Sequence, residues 1–136
     1  MATESGPFDI NDVRLVLSPD GTSTVLPVTP TFFEDLGKAF GDFAGRVLVS
    51  RFDFDEPWPT WEMHPKADEF VYLLSGDVEL LVKAPGEGAV TIRVSEPGRY
   101  VIVPRGHWHT ARPLAPTSML FVTAGEGTQN EVEPPE

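Results

Sequence analysis

Cysteine is absent from the 136 residues, which removes disulfide scaffolds, thiolate metal sites and cysteine nucleophiles together. Basic residues are scarce: 10 Lys+Arg stand against 21 Asp+Glu, for a formal charge of −11. Such a field repels phosphate backbones and anionic headgroups, so neither nucleic acid nor a membrane is expected as a partner. Long apolar runs are missing too. The longest, Phe70-Val71-Tyr72-Leu73-Leu74, falls far short of the roughly 20 residues that span a bilayer. The opening residues have neither a basic start nor an apolar block, so no signal peptide is expected and the cytoplasm is the expected compartment. Histidine occurs only three times, at His64, His107 and His109.

What the chain has in quantity is punctuation, 14 Pro and 12 Gly. Short apolar runs between such breakers read as an all-β domain. Strands are expected at Val13–Leu17, Arg46–Phe54, Thr60–His64, Glu69–Leu74, Val78–Ala84, Ala89–Val94, Tyr100–Val103, His107–Arg112 and Ser118–Thr123. Their spacing of roughly ten residues suits a sandwich or barrel. One segment breaks the pattern. Thr29-Pro30 offers a helix N-cap followed by proline at the first helical position, and Phe33, Leu36, Phe40 and Phe43 then recur on one helical face. That helix is expected to cover an open end or edge of the sheet; lining a ligand site is the lesser reading of its aromatic stripe. The whole chain, 1–136, reads as one domain with its core at about 12–124, a loose N-terminus and an acidic C-terminal tail.

The chemistry concentrates in two segments. In Trp61-Glu62-Met63-His64-Pro65-Lys66-Ala67-Asp68-Glu69, Glu62 and His64 lie two apart on extended chain, so both side chains leave the same face. Glu69 opens the next strand. In Pro104-Arg105-Gly106-His107-Trp108-His109, proline and glycine set a sharp entry into a strand whose first residues present an imidazole. Isolated strand histidines are usually surface or hydrogen-bonded residues, and Glu62 read alone is equally a solvated acid.

These residues resemble the cupin superfamily, whose two motifs are G-x5-H-x-H-x(3,4)-E-x6-G and G-x5-P-x-G-x2-H-x3-N. His64, Glu69 and Gly76 match the first from its second histidine onward, and Gly98, Pro104, Gly106 and His109 match the second up to its histidine. The chain departs at three places: Glu62 replaces the first histidine, Pro113 the closing asparagine, and the opening glycine is absent. The resemblance is to a small single-domain microbial cupin. It implies a jelly-roll β-barrel with one short N-terminal helix and a metal site of Glu62, His64, Glu69 and His109. It also favours His109 over His107, which is expected at the rim.

Two imidazoles with one carboxylate and open positions is the set that non-haem iron(II) enzymes use, and a second carboxylate adds hard oxygen character. A divalent cation is therefore expected, Fe, Mn or Zn, with Ni also admissible. Glu62 has two expected roles, ligand and general base in catalysis, since a carboxylate that leaves the metal can accept a proton. The expected function is action on a small organic molecule by a metal-dependent dioxygenase-type oxidoreductase or an isomerase. The alternative is a non-catalytic small-molecule-binding or sensor cupin, metal-free or with a structural metal. Trp58, Trp61 and Trp108, with Phe52, Phe54, Met119 and Phe121, are expected around the pocket, and Arg51, Arg105 and Arg112 at its mouth. The apolar strand through Phe70 and Tyr72 suggests burial against a second copy, so a homodimer is expected.

Overall fold

The structure is a computed structural model that describes residues 5–136. Part of the expected loose N-terminus, residues 1–4, lies outside the described residues. In chain order the elements are β1 (Val13–Leu17), β2 (Ser23–Pro27), α1 (Phe32–Phe40), β3 (Val47–Phe54), β4 (Trp61–Met63) and β5 (Glu69–Ser75). There follow β6 (Val78–Lys83), β7 (Val90–Val94), β8 (Tyr100–Val103), β9 (Trp108–Pro113), β10 (Thr117–Thr123) and β11 (Gln129–Glu131). All nine expected strands are present, with ends displaced by no more than one residue. β2 and β11 were not expected. Both are almost wholly exposed edge strands, so neither carries the apolar alternation by which a half-buried strand is recognised.

The strands form two antiparallel sheets, ordered β2-β1-β3-β10-β5-β8 and β11-β4-β9-β6-β7. Their inner faces enclose one core. Val71 and Leu73 of β5 and Met119 and Phe121 of β10 meet Leu80 of β6 and Ala111 of β9 across it. Leu73, Leu80 and Met119 are fully buried, and each such side chain contributes about 1.5–3 kcal/mol relative to exposure. Gly76, in the β5–β6 turn, has a φ of 106° and a Cβ there would lie 2.5 Å from the Pro116 carbonyl oxygen. Only glycine suits that close approach to β10.

The helix departs from expectation in two ways. It begins at Phe32 with Thr31 at its N-cap; the Thr29 hydroxyl donates to the Asp35 carboxylate at 2.7 Å and accepts from the Thr31 N–H at 3.3 Å, bracing the turn that precedes the helix. The buried aromatic is then Phe32, which packs with Val16, Phe43 and Leu48, whereas Phe33 is 62% exposed. Gly41 ends the helix, its N–H donating to the Gly37 carbonyl. Phe43 follows in the left-handed region at a φ of 62°. Arg14, on the inward side of β1, lies between the rings of Phe32 and Phe52 at 4.5 and 4.4 Å. No helix among the described residues is long and apolar enough to cross a membrane.

Candidate metal centre

The two motif segments meet through sheet register. In the β4–β9 ladder Glu62 stands directly opposite His109, so their side chains leave one face as neighbours. His64, two residues beyond Glu62, projects the same way. Residues 65–68 then carry the chain to the other sheet, where Glu69, the first residue of β5, shares the inward face with Val71 and Leu73. Two bonds from backbone N–H groups tie the segments together: the Gly106 N–H donates to the His64 carbonyl at 2.9 Å, and the Arg105 N–H donates to the Asp68 side-chain carboxylate at 2.8 Å. Gly106, at a φ of 80°, makes the turn that delivers β9.

One ligand-capable atom from each of Glu62, His64, Glu69 and His109 lies within 4.8 Å of the other three. His64 Nε2 is 2.9 Å from Glu62 Oε1 and 3.1 Å from Glu69 Oε2. His109 Nε2 is 3.0 Å from Glu69 Oε1 and 3.7 Å from Glu62 Oε1. His64, Glu69 and His109 are buried, and the Glu62 side chain is 31% exposed. His107 is not part of the cluster; its Nδ1 faces the Arg105 carbonyl at 3.3 Å.

Despite these short separations, His64 Nε2, His109 Nε2 and Glu69 Oε1 are shut from solvent and none has an aligned hydrogen-bond partner. Three convergent, desolvated polar atoms without aligned partners are compensated in the metal-free chain by charge attraction between His64 and the two carboxylates. A divalent cation about 2.0–2.2 Å from each would satisfy all three at once. The donor set therefore fits a metal ion.

Two threonines hold the cluster, and neither was anticipated from the sequence. Thr123 Oγ1 donates to Glu69 Oε2 at 2.6 Å. Thr128 Oγ1 donates its single proton to the Gly125 carbonyl at 2.9 Å and lies 2.8 Å from His64 Nδ1. The threonine oxygen must then accept from Nδ1–H, which leaves Nε2 of neutral His64 as a bare lone pair facing the cluster. His109 Nδ1, also buried, has no partner. Burial opposes charge on His64, but the carboxylates of Glu62 and Glu69 outweigh it and hold the imidazolium up to about 9. Burial likewise opposes charge on Glu69, but His109 and His64 draw its carboxyl down to about 2.

Three members of the cluster, Glu62, His64 and Glu69, line a cavity of about 600 Å³, with the buried His109 behind them. Phe52, Phe54, Trp58 and Phe121 line it as expected, while Trp61, Trp108 and Met119 do not. Trp58 packs edge-on against Phe54 and against the His109 ring, so the aromatic wall runs directly onto the cluster. Phe33, Leu36 and Phe43 also line it, so three of the four residues of the helical stripe contribute to the cavity. None of Arg51, Arg105 and Arg112 lines it. Arg51 instead pairs with Asp53 at 3.0 Å.

No protein-family model matches the chain, and no curated protein matches it. Among solved structures, an oxalate oxidase is similar over 60% of this chain and 44% of its own, with 21% identity and a TM-score of 0.52. An oxalate decarboxylase is similar over 62% of this chain and 23% of its own, with 18% identity and a TM-score of 0.51. The chain has the cupin fold. Its matched part spans less than half of the oxalate oxidase chain and about a quarter of the oxalate decarboxylase chain. Peruvianin-I, described as a cysteine peptidase from Thevetia peruviana latex, is similar over 61% of this chain and 54% of its own, with 17% identity and a TM-score of 0.51. Proteins named for oxidation, decarboxylation and peptide cleavage thus share the architecture, so the reaction has to be argued from the site.

Proposed function

We propose that Glu62, His64, Glu69 and His109 hold one divalent cation, and that this cupin is a metal-dependent enzyme acting on a small organic molecule. The observation that carries the reading is the buried trio His64 Nε2, His109 Nε2 and Glu69 Oε1, which converge without hydrogen-bond partners. Two imidazoles and two carboxylates favour Fe(II) or Mn(II) and admit Zn(II) or Ni(II). When bound, such a cation supplies Lewis acidity and, if it is Fe or Mn, redox capacity, which ranks oxygen-dependent oxidation first and isomerisation second.

The chain's own residues do the rest. Thr128 presents His64 in the tautomer that leaves Nε2 free, and Thr123 orients Glu69. Glu62 is the member of the four that keeps partial exposure and lines the cavity. It is the group placed to accept a proton from a bound hydroxyl or acidic C–H. Phe54, Trp58 and Phe121 keep water from the cluster.

Elemental analysis tests the reading. The purified chain, reconstituted anaerobically with Fe(II) or Mn(II), should retain about one ion per chain, His109→Ala should lose it, and Glu62→Ala should weaken it. Retention by His109→Ala would refute the ligand set, and a chain that takes up no ion would leave a metal-free binding module as the better account.

A further inference from the structure

The cavity walls say more than the cluster. With two carboxylates and two neutral imidazoles around it, a divalent cation would leave a centre of zero net charge. The charged side chains that line the cavity besides the histidine are Asp53, Glu62 and Glu69, all acidic. Neither lysine nor arginine is among the described lining residues. Two cations come near without lining it: Arg51 is paired with Asp53, and Arg14 is held behind the wall between the rings of Phe32 and Phe52. A dianion entering this space would meet no compensating charge, and burying an unpaired charge is costly.

The walls are apolar over most of their extent. Leu48, Phe52 and Phe54 of β3, with Phe121 of β10, form one side. Phe33 and Leu36 of α1 and the buried Phe43 beyond it complete the apolar lining, and Phe33 remains 62% exposed. Phe33 packs edge-on against Phe32 and keeps its remaining surface available to a molecule in the cavity. The volume of about 600 Å³ falls in the range of drug-sized ligands, about 300–1,000 Å³, and is far more than a two-carbon acid fills.

We propose that the cavity binds an uncharged, predominantly apolar molecule that presents two neighbouring oxygen donors to the cluster, and that small dianions such as oxalate are excluded. This rests on the metal-site reading, because four protein ligands leave two positions of a six-coordinate ion for the paired oxygens. The apolar body would lie between the β3 aromatics and Phe33.

The test uses metal-loaded protein titrated with catechol, 4-tert-butylcatechol and oxalate, followed by Trp fluorescence and calorimetry. 4-tert-Butylcatechol should bind at least about tenfold more tightly than catechol, because the added methyl groups are buried. Oxalate should bind more weakly than either. Phe33→Asp should reduce the tert-butyl preference about three- to tenfold without changing metal content. Oxalate binding as tightly as 4-tert-butylcatechol, or no gain from the tert-butyl group, would overturn the inference. Should the chain take up no metal, the metal-site reading fails separately. The cavity is then decided by 4-tert-butylphenol against phenol on the metal-free protein, with the same tenfold preference expected and its absence overturning the apolar assignment.

Discussion

Thr128→Val tests how the protein prepares His64. In the native chain the threonine hydroxyl gives its proton to the Gly125 carbonyl and accepts from His64 Nδ1–H at 2.8 Å. Valine keeps the shape and removes the acceptor. His64 is 4% exposed, so water cannot simply replace it. The neutral imidazole that a cation requires then has two poor choices. It keeps the proton on Nδ1 with no partner, at about 1–3 kcal/mol, or it moves the proton to Nε2 and blocks the lone pair that would meet a cation. Both weaken metal binding, and loss of a partner of this kind typically costs 10–100-fold in affinity. Chelator competition with Mn(II) or Zn(II) should therefore show a Kd about 10–100-fold higher for Thr128→Val, with Thr128→Ser near the native value. Above about pH 9, where the His64 ring of the metal-free protein is neutral, its ¹⁵N shifts should report Nδ1–H. A Thr128→Val affinity within twofold of native, or a Thr128→Ser variant as weak as the valine, would refute the reasoning.

Metal binding should also depend on pH. His64 is raised from 6.5 to about 9 in the metal-free protein, so a cation must displace a proton, and apparent affinity should rise about tenfold per pH unit until about pH 9 and then level. A flat profile in calorimetry across buffers would contradict this. For the metal-free protein, the raised His64 stabilises fully below its unfolded pKa and is lost as pH climbs through about 9, while the lowered Glu69 stabilises above 4.5 and is lost as pH falls through about 2; denaturant midpoints should peak between those limits. Gly76→Ala would force a Cβ into the Pro116 carbonyl at a φ of 106°, with an expected loss of about 2–4 kcal/mol and a Tm lower by about 10 °C; a change of a degree or two would refute the contact. Phe70, Tyr72 and Tyr100 form an aromatic patch on β5 and β8, with Tyr100 57% and Ile102 54% exposed. If two copies pair there, light scattering should give a dimer and Tyr100→Arg a monomer; a native monomer would dispose of the idea.

Strand positions were legible where one face of a strand is buried, because burial writes a two-residue alternation into the sequence. β3 shows it: Leu48 and Ser50 are buried and Phe52 lines the cavity, whereas Asp53 is exposed at the mouth. β2 and β11 bury almost nothing, and their sequences carry no such pattern. The helix starts two residues beyond the Thr29-Pro30 signal, because Thr29 accepts from the Thr31 N–H and donates to Asp35 from a turn that lies outside the helix. That shift decides which of two adjacent phenylalanines is buried.

The convergence at the site divides the same way. Glu62 and His64 carry a two-residue spacing that puts them on one face of a strand, and the match of His64, Glu69 and His109 to the cupin motifs is what brings the other members to them. Neither spacing nor motif marks Thr123 and Thr128. The first reaches Glu69 from the end of β10 and the second reaches His64 from the loop before β11, separations of 54 and 64 residues. Their roles exist only once the ladders are in register. The four side chains thus set the chemistry a cation would meet, while tautomer and orientation are set by groups that sequence spacing does not mark. The asymmetry is itself informative. His64 has a fixed Nδ1 partner and His109 has none, so with the cation removed His109 should change tautomer and rotamer first, and its ring signals should broaden in NMR before those of His64 do.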